Sequence, residues 1–354
     1  MLDVLVIGAG PYGLAAAKAA RDKGLETRVL GRHMAFWREH MPAGMFLRSG
    51  PDWHLDPAYE LTLERFLELH GETPDPLPID LFLAYTDWFI EQAGITVEDE
   101  RVVALRPGFE AELESGETIR ARQVIAAPGI AHFAHTPPDW AGGDAVHACD
   151  AVDFADYAGA NVLIVGGRQS AYEWAALLGE HGAARIDVVH RHPAPRFDRV
   201  SWRFVDPLID ETLAHDGWWR NLAQSARAAI ARQFWEVGRL TLEHWLTPRL
   251  QTAPVHVHAD AHVIARTRLS DGTAIDPDRI VFATGYKAAL TNVPYLSPLA
   301  IETRDGFPVL DAHMQTSIPG LYVPGFAATQ DFGPFFGFVK GAPAAAELIA
   351  RNIA

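Results

Sequence analysis

Gly8, Gly10 and Gly13 constrain this chain more than any other three residues. They stand in GxGxxG spacing after an apolar run, Leu2, Val4, Leu5, Val6 and Ile7, and before an Ala-rich stretch over residues 14–21. The run has the character of a parallel strand buried on both faces, and alanine favours helix. Strand, glycine turn and helix in that order form a cradle for a pyrophosphate. Gly8 makes the tight turn, Gly10 lets phosphates approach the backbone, and Gly13 lets the helix pack on the strand, with Pro11 in the same turn. The helix end then presents free N–H groups and a positive dipole to the phosphates. The competing reading is a glycine-rich turn without a ligand.

At 354 residues the chain exceeds one ordinary small core, so two domains are expected. Its 49% hydrophobic content argues for a packed protein and against disorder. A formal net charge of -15 disfavours a nucleic-acid or anionic-membrane binder, since phosphate contacts need clustered Lys and Arg. Cys149 is the only cysteine, so there is neither an internal disulfide nor a Cys-x-x-Cys redox pair. The first apolar run is too short to span a membrane and lacks a basic leader. Neither a signal peptide nor an anchor is expected, and a cytoplasmic location is the default.

A second strand is expected over 26–30. It ends Leu30-Gly31-Arg32 without the acid that would grip a ribose 2′-hydroxyl, which leaves that contact to Arg32 or to backbone groups. Residues 36–57 are rich in aromatics, Met, Gly and Pro, as binding loops often are, and Trp37 and Arg48 are candidates for contacting a cofactor. The alternative places Trp37 and Phe46 in the core. Helices are expected over 61–69 and 79–93, and strands over 95–105, 109–113 and 118–127.

Residues 161–171, NVLIVGGRQSA, are a second strand and glycine turn, with helix expected over 172–179. Gly166 and Ala171 fit the outer positions of GxGxxA, and Gly167, Gln169 and Ser170 complete the turn. Arg168 takes the middle position, where a pyrophosphate would meet a bulky cation; a vestigial turn that binds nothing is the alternative. The next strand, over 185–189, runs into HRHPAPR with no acid at its end. Taken alone, Arg191 and Arg196 just beyond read as solvated surface charges; after a second glycine turn they favour a 2′-phosphate, hence NADPH over NADH.

Residues 200–250 break the strand–helix alternation, and 220–246 are largely helical in composition. Trp202, Trp218, Trp219, Trp235 and Trp245 crowd this stretch. They suit a substrate pocket, the interface of a homodimer, or helical core. His256, His258 and His262 have no companion ligand set beyond Asp260, so no metal is expected. A strand over 280–286 ends in Thr284-Gly285, and another enters a turn at Gly325. Gly333, Pro334 and Gly337 precede a closing helix from Ala342, which can return to a cofactor bound at the start.

Together these pieces resemble the two-dinucleotide-binding-domain flavoproteins. Ala283-Thr284-Gly285 matches their ATG hinge, and HRHPAPR resembles the HRRxxxR motif of NADPH-using members, with His192 replacing an arginine. The resemblance implies an α/β fold of two Rossmann-like dinucleotide-binding domains. The FAD domain would be discontinuous, residues 1–155 and 281–354. The NAD(P)H domain would span 156–280, with a helical excursion over 200–250. The disulfide reductases of this group are set aside, because their chemistry needs a cysteine pair. They also end their last FAD strand in Gly-Asp, where this chain has Gly325-Phe326.

Residues 36–49 and the DFGPFFGF tail are more similar to the flavin-dependent monooxygenases related to lysine and ornithine N-hydroxylases and to the Baeyer–Villiger enzymes. Of their Phe-x-Gly-x-x-x-His fingerprint, residues 127–133 keep only part, with His132 one place early. The implied cofactors are FAD on the first turn and NADPH on the second. The implied reaction passes one oxygen of O2, by way of a flavin C4a-(hydro)peroxide, to a small amine, sulfide, ketone or heteroaromatic compound. Cofactors carry that chemistry, so no catalytic side chain is expected. The rivals are an NADPH:flavin oxidoreductase serving a carrier protein or O2, and a non-catalytic flavin-binding sensor.

Overall fold

Two sheets of mainly parallel strands grow from the two strand–turn–helix units. The computed structural model describes residues 1–138, 140 and 144–354. In the first sheet Leu2–Ile7 lies between Thr27–Leu30 and Thr118–Ala126, parallel to both, with Val97–Glu98 beyond Thr27–Leu30. Thr118–Ala126 also pairs in parallel with Leu321–Tyr322 and antiparallel with Glu110–Leu113, which pairs in turn with Val102–Arg106. Val4, Leu5 and Val6 are fully buried, as a strand covered on both faces requires. The helix Pro11–Asp22 packs on the closing helix Ala342–Asn352, and alanines of both are buried at that contact.

The second sheet is parallel throughout, in the order Val255–His258, Arg185–Val189, Asn161–Val165, Arg279–Phe282, Val146–His147. The chain crosses between the sheets after Thr118–Ala126 and again after Arg279–Phe282. These crossings are tied to each other. The His135 N–H donates to the Gly285 carbonyl at 2.9 Å, the Lys287 N–H donates to the Phe133 carbonyl at 2.8 Å, and the Thr284 hydroxyl donates to the His135 carbonyl.

The expected helices appear as Leu63–His70 and Ile79–Gln92. The single strand expected over 95–105 is instead two, on opposite edges of the first sheet. The charged run Asp99-Glu100-Arg101 cannot continue a half-buried strand, and the chain turns there.

Between two neighbouring strands of the second sheet lies the excursion. It contains the helices Asp206–Ala214, Trp218–Asn221, Gln224–Trp235 and Leu246–Thr252. Its helical stretch does not run through to residue 246. It ends in a π-helical turn, Glu236–Leu240, and a short strand, Thr241–Glu243, that pairs with Arg196–Asp198. Arg48 explains the stop. Its guanidinium donates to the carbonyls of Gly238 at 2.6 Å and Thr241 at 2.9 Å, acceptors that a continuing helix would use itself. Although inserted in the second sheet, the excursion contributes Trp202, Val205, Ile209, Trp219 and Phe234 to the core of the first. Among the described residues no helix is long and apolar enough to cross a membrane.

Candidate functional site

The geometry of the first turn fits a bound pyrophosphate. Gly8 has φ +107°, and a Cβ there would lie 2.2 Å from the Ala127 carbonyl oxygen. A Cβ on Gly13 would lie 1.8 Å from the Gly8 carbonyl oxygen. Both positions are closed to any side chain. A Cβ on Gly10, in contrast, would meet no atom within 4 Å. Gly10 caps the helix, Pro11 follows it, and neither a capping side chain nor a first-turn acid competes for the helix end. The first N–H groups therefore face an open cradle.

The second turn repeats this construction. A Cβ on Gly166 would lie 2.3 Å from the Ala283 carbonyl oxygen. The Gly8 N–H donates to the Leu30 carbonyl at 2.8 Å, and the Gly166 N–H donates to the Val189 carbonyl at 3.0 Å. Ala171 is fully buried in the place of Gly13. Arg168 stands in the place of Gly10, with the same extended backbone (ψ -173° against -174°). Its side chain is held on the excursion. The guanidinium carbon lies 4.0 Å from the Trp235 ring centroid, and Nη1 donates to the Arg239 carbonyl at 3.1 Å.

Other expected contact residues are placed as follows. Gly167 lies against the His190 ring. The Gln169 amide donates to Glu173 at 2.8 Å, its oxygen accepts from the Glu243 N–H at 3.2 Å, and Ser170 is exposed. Arg191 and Arg196 are exposed and have no ion-pair partner among the described residues. A cavity of about 260 Å³ opens beside Arg196, bounded on its other side by Glu236 and Leu240. Arg32 pairs with Glu39 at 2.8 Å. Trp37 is half-buried against Phe82, ring centroids 4.9 Å apart. Arg48 also donates its Nε–H to Glu243 at 3.1 Å.

The tail returns to the first turn through Tyr12, a residue that sequence reasoning passed over. Its hydroxyl lies 2.5 Å from the Phe336 carbonyl oxygen and 2.7 Å from that of Phe338, sharing its proton between them. Burial raises its pKa, which keeps that proton in place. Gly325 (φ +88°) faces the Tyr12 ring, and a Cβ on Gly341 would lie 2.6 Å from the Tyr12 hydroxyl oxygen. The signal was present: a tyrosine stands inside a glycine turn, with a late glycine-rich tail to receive it. Gly333 packs against Trp219 of the excursion, and Pro334 opens the turn that follows. Trp202 lies 5.8 Å from both Phe338 and Trp53, and Phe234 lies 5.4 Å from Phe338, so excursion and tail share one aromatic wall.

The sequence profile of the pyridine nucleotide-disulphide oxidoreductases matches residues 2–345. The chain belongs to that family. Among curated proteins it is 31% identical over 209 residues to an indole-3-pyruvate monooxygenase of Oryza sativa subsp. japonica, covering 54% of this chain and 49% of that one. It is 26% identical over 337 residues to a ferredoxin–NADP reductase of Thermus thermophilus, covering 92% and 85%. The chain spans about half the length, or less, of the curated relatives it matches first. Among solved structures, an ornithine N-hydroxylase of Kutzneria sp. 744 superposes with TM-score 0.82 at 17% identity over 100% of this chain and 99% of that one. A flavin-containing monooxygenase from Stenotrophomonas maltophilia gives 0.70 at 20%, with the same coverage. At these identities the likeness is one of fold, and it is the two-turn α/β fold expected from the sequence.

This member of the family lacks the cysteine pair that disulphide chemistry needs. The Cys149 thiol is buried, 3.0 Å from His147 Nδ1, and burial pushes its pKa up to about 11. A thiol held neutral in this way is a poor nucleophile. The strand histidines divide: His258 pairs with Asp187 at 2.7 Å, while His256 and His262 are exposed.

Proposed function

We propose that this oxidoreductase is an FAD-dependent NADPH monooxygenase that passes one oxygen atom of O2 to a small organic substrate. In this reading residues 1–155 and 281–354 hold FAD on the first turn, and residues 156–280 hold NADPH on the second. The observation that carries the reading is the aromatic cover where the excursion meets the tail. Trp202 and Trp219 are each 7% exposed and rest on Phe338, Phe335 and Gly333. Oxygen transfer needs water kept from the reacting centre, whereas electron transfer to a carrier protein does not.

When bound, FAD reduced by hydride from NADPH supplies the electrons that activate O2. The chain's own residues orient and exclude. Gly10 and the N–H groups after it receive the phosphates of FAD, and Tyr12 fixes the tail against that turn. Arg191 and Arg196, exposed and without an ion-pair partner among the described residues, offer their guanidinium groups to a 2′-phosphate. The substrate belongs among amines, sulfides, ketones and heteroaromatic compounds, and the aromatic wall favours an apolar or ring-shaped body.

The second reading is an NADPH:flavin oxidoreductase serving a carrier protein. The match to the Thermus thermophilus ferredoxin–NADP reductase over 92% of this chain favours it. Turnover under isotopically labelled O2 separates the two. Label in an organic product is the expected result. Complete release of the consumed O2 as hydrogen peroxide with every substrate class, together with rapid reduction of ferredoxin, would establish the reductase instead.

A further inference from the structure

The second turn and the excursion face each other with more positive charge than they neutralise. Three arginines meet at the turn Glu236–Leu240: Arg48 and Arg168 donate to its Gly238 and Arg239 carbonyls, and Arg239 belongs to it. Among the described residues only Arg48 of the three is ion-paired, with Glu243. Arg168 uses one of its five N–H donors, on the Arg239 carbonyl, and is stacked on Trp235. The Arg239 guanidinium lies 6.0 Å from the Phe338 ring centroid and has no acceptor among the described residues. Burial lowers the pKa of Arg239 and of Arg168, and a neighbouring positive charge adds to the effect in each, that of Arg48 on Arg239 and that of Arg239 on Arg168. An anion beside these arginines would relieve the repulsion between like charges.

The backbone arranges this deliberately. Arg239 sits in the π-helical turn Glu236–Leu240, a rare element concentrated at functional sites. The turn is pinned by Arg48 through the Gly238 carbonyl and braced by Trp202, whose ring a Cβ on Gly238 would approach to 2.3 Å. Glu236 and Leu240 of the same turn border the cavity of about 260 Å³ that reaches Arg196. A ligand spanning from Arg168 past this turn to Arg196 runs from the helix end to the loop that follows the next strand, the path of an extended dinucleotide.

We infer that Arg168 and Arg239 together form an anion site that takes the pyrophosphate of the pyridine dinucleotide, with the excursion supplying the second arginine. Arg168 replaces the close backbone approach that a glycine would allow, and Arg239 closes on the phosphates from the opposite side. The inference rests on the reading that the second turn binds NADPH.

The test is titration calorimetry of the FAD-loaded protein with NADP+ and with NAD+. Arg239→Ala and Arg168→Ala should each weaken both nucleotides alike, by about tenfold, the loss typical of one charge-assisted contact. FAD content and the circular dichroism spectrum should not change, and Arg239→Lys should recover part of the affinity. Loss confined to NADP+ would move the contact to the 2′-phosphate and overturn the assignment. Unchanged affinity for both nucleotides, with a raised KM for the organic substrate, would overturn it in favour of a substrate carboxylate. Loss of FAD would overturn it in favour of the first turn. Wild-type protein that binds neither nucleotide would remove the underlying NADPH reading, a result distinct from all of these.

Discussion

Arg48 and Glu243 meet at 3.1 Å across the junction of the opening part of the chain with the excursion, and the Glu243 side chain is only 3% exposed. Removing the guanidinium would take the ion-pair partner from a buried carboxylate, leaving it the Val200 N–H, and a side-chain donor from each of two backbone carbonyls. Arg48→Met should therefore destabilise the protein by about 3–5 kcal/mol in urea unfolding. Arg48→Lys should fall between, because an ammonium cannot reach three acceptors in the fork geometry of arginine. Adding Glu243→Gln to Arg48→Met should restore part of the loss. A cost for Arg48→Met below about 1 kcal/mol, the range of an exposed pair, would show that the joint is dispensable.

The two glycines of the first turn should separate folding from cofactor binding. A Cβ at position 8 collides with the Ala127 carbonyl, whereas one at position 10 enters open space. Gly10→Val should fold with a thermal midpoint near that of FAD-free wild-type protein and purify without FAD, because its β-branched side chain fills the cradle. Gly8→Ala should lose both stability and FAD. Stoichiometric FAD in folded Gly10→Val protein would show that FAD binds elsewhere.

Glu173 gives the protein a pH dependence of defined sign. It is fully buried, and burial pushes its pKa from 4.5 up to about 7, against the opposing effects of Gln169 and Arg249. The folded chain keeps this proton until about pH 7, while the unfolded chain releases it near pH 4.5. In that window the folded state holds the extra proton, so stability falls as pH rises and the deficit is complete above pH 7. Glu173→Gln removes the titration and leaves Arg249 its pair with Glu180 at 2.7 Å. The variant should gain on the wild type in thermal midpoint between pH 4.5 and pH 7. A difference that stays flat with pH would show that Glu173 is ionised throughout.

Arg191 and Arg196 should set the choice of nucleotide. Replacing both with Ala should raise KM for NADPH by about tenfold and leave NADH nearly unchanged, since only NADPH has the 2′-phosphate. Equal rises for both nucleotides would assign these arginines to a part the two share.

The glycines of both turns are legible in the sequence because their constraints are local. Gly8 and Gly166 each end a strand beneath the carbonyl of an alanine in the same sheet, and the strand–turn–helix pattern announces that geometry. Side-chain direction is not local. Position alone makes Arg168 an obstruction, while its actual course depends on Trp235 and on the Arg239 carbonyl, 71 residues further on. Arg48 reads from its loop as a candidate cofactor contact, and the protein acceptors it also reaches, up to 195 residues away, are not legible there. The helical composition of 220–246 is real as far as Trp235, apart from a break at Leu222 and Ala223. The stop after Leu240 is imposed by Arg48 from outside, so no pattern within the stretch records it.

The chain order of the excursion and its packing disagree, and this decides how the protein can be cut. Residues 200–250 are threaded between two strands of the second sheet but place Trp202, Trp219 and Phe234 in the core of the first. A fragment ending at the boundary of one sheet would carry those rings into water, and its complement would lose part of its apolar core. Grafting between relatives must therefore exchange the excursion and the Gly325–Gly341 tail as one piece, across both crossings. In this protein the unit that can be inherited or transplanted is the pair of surfaces in contact, rather than either sheet.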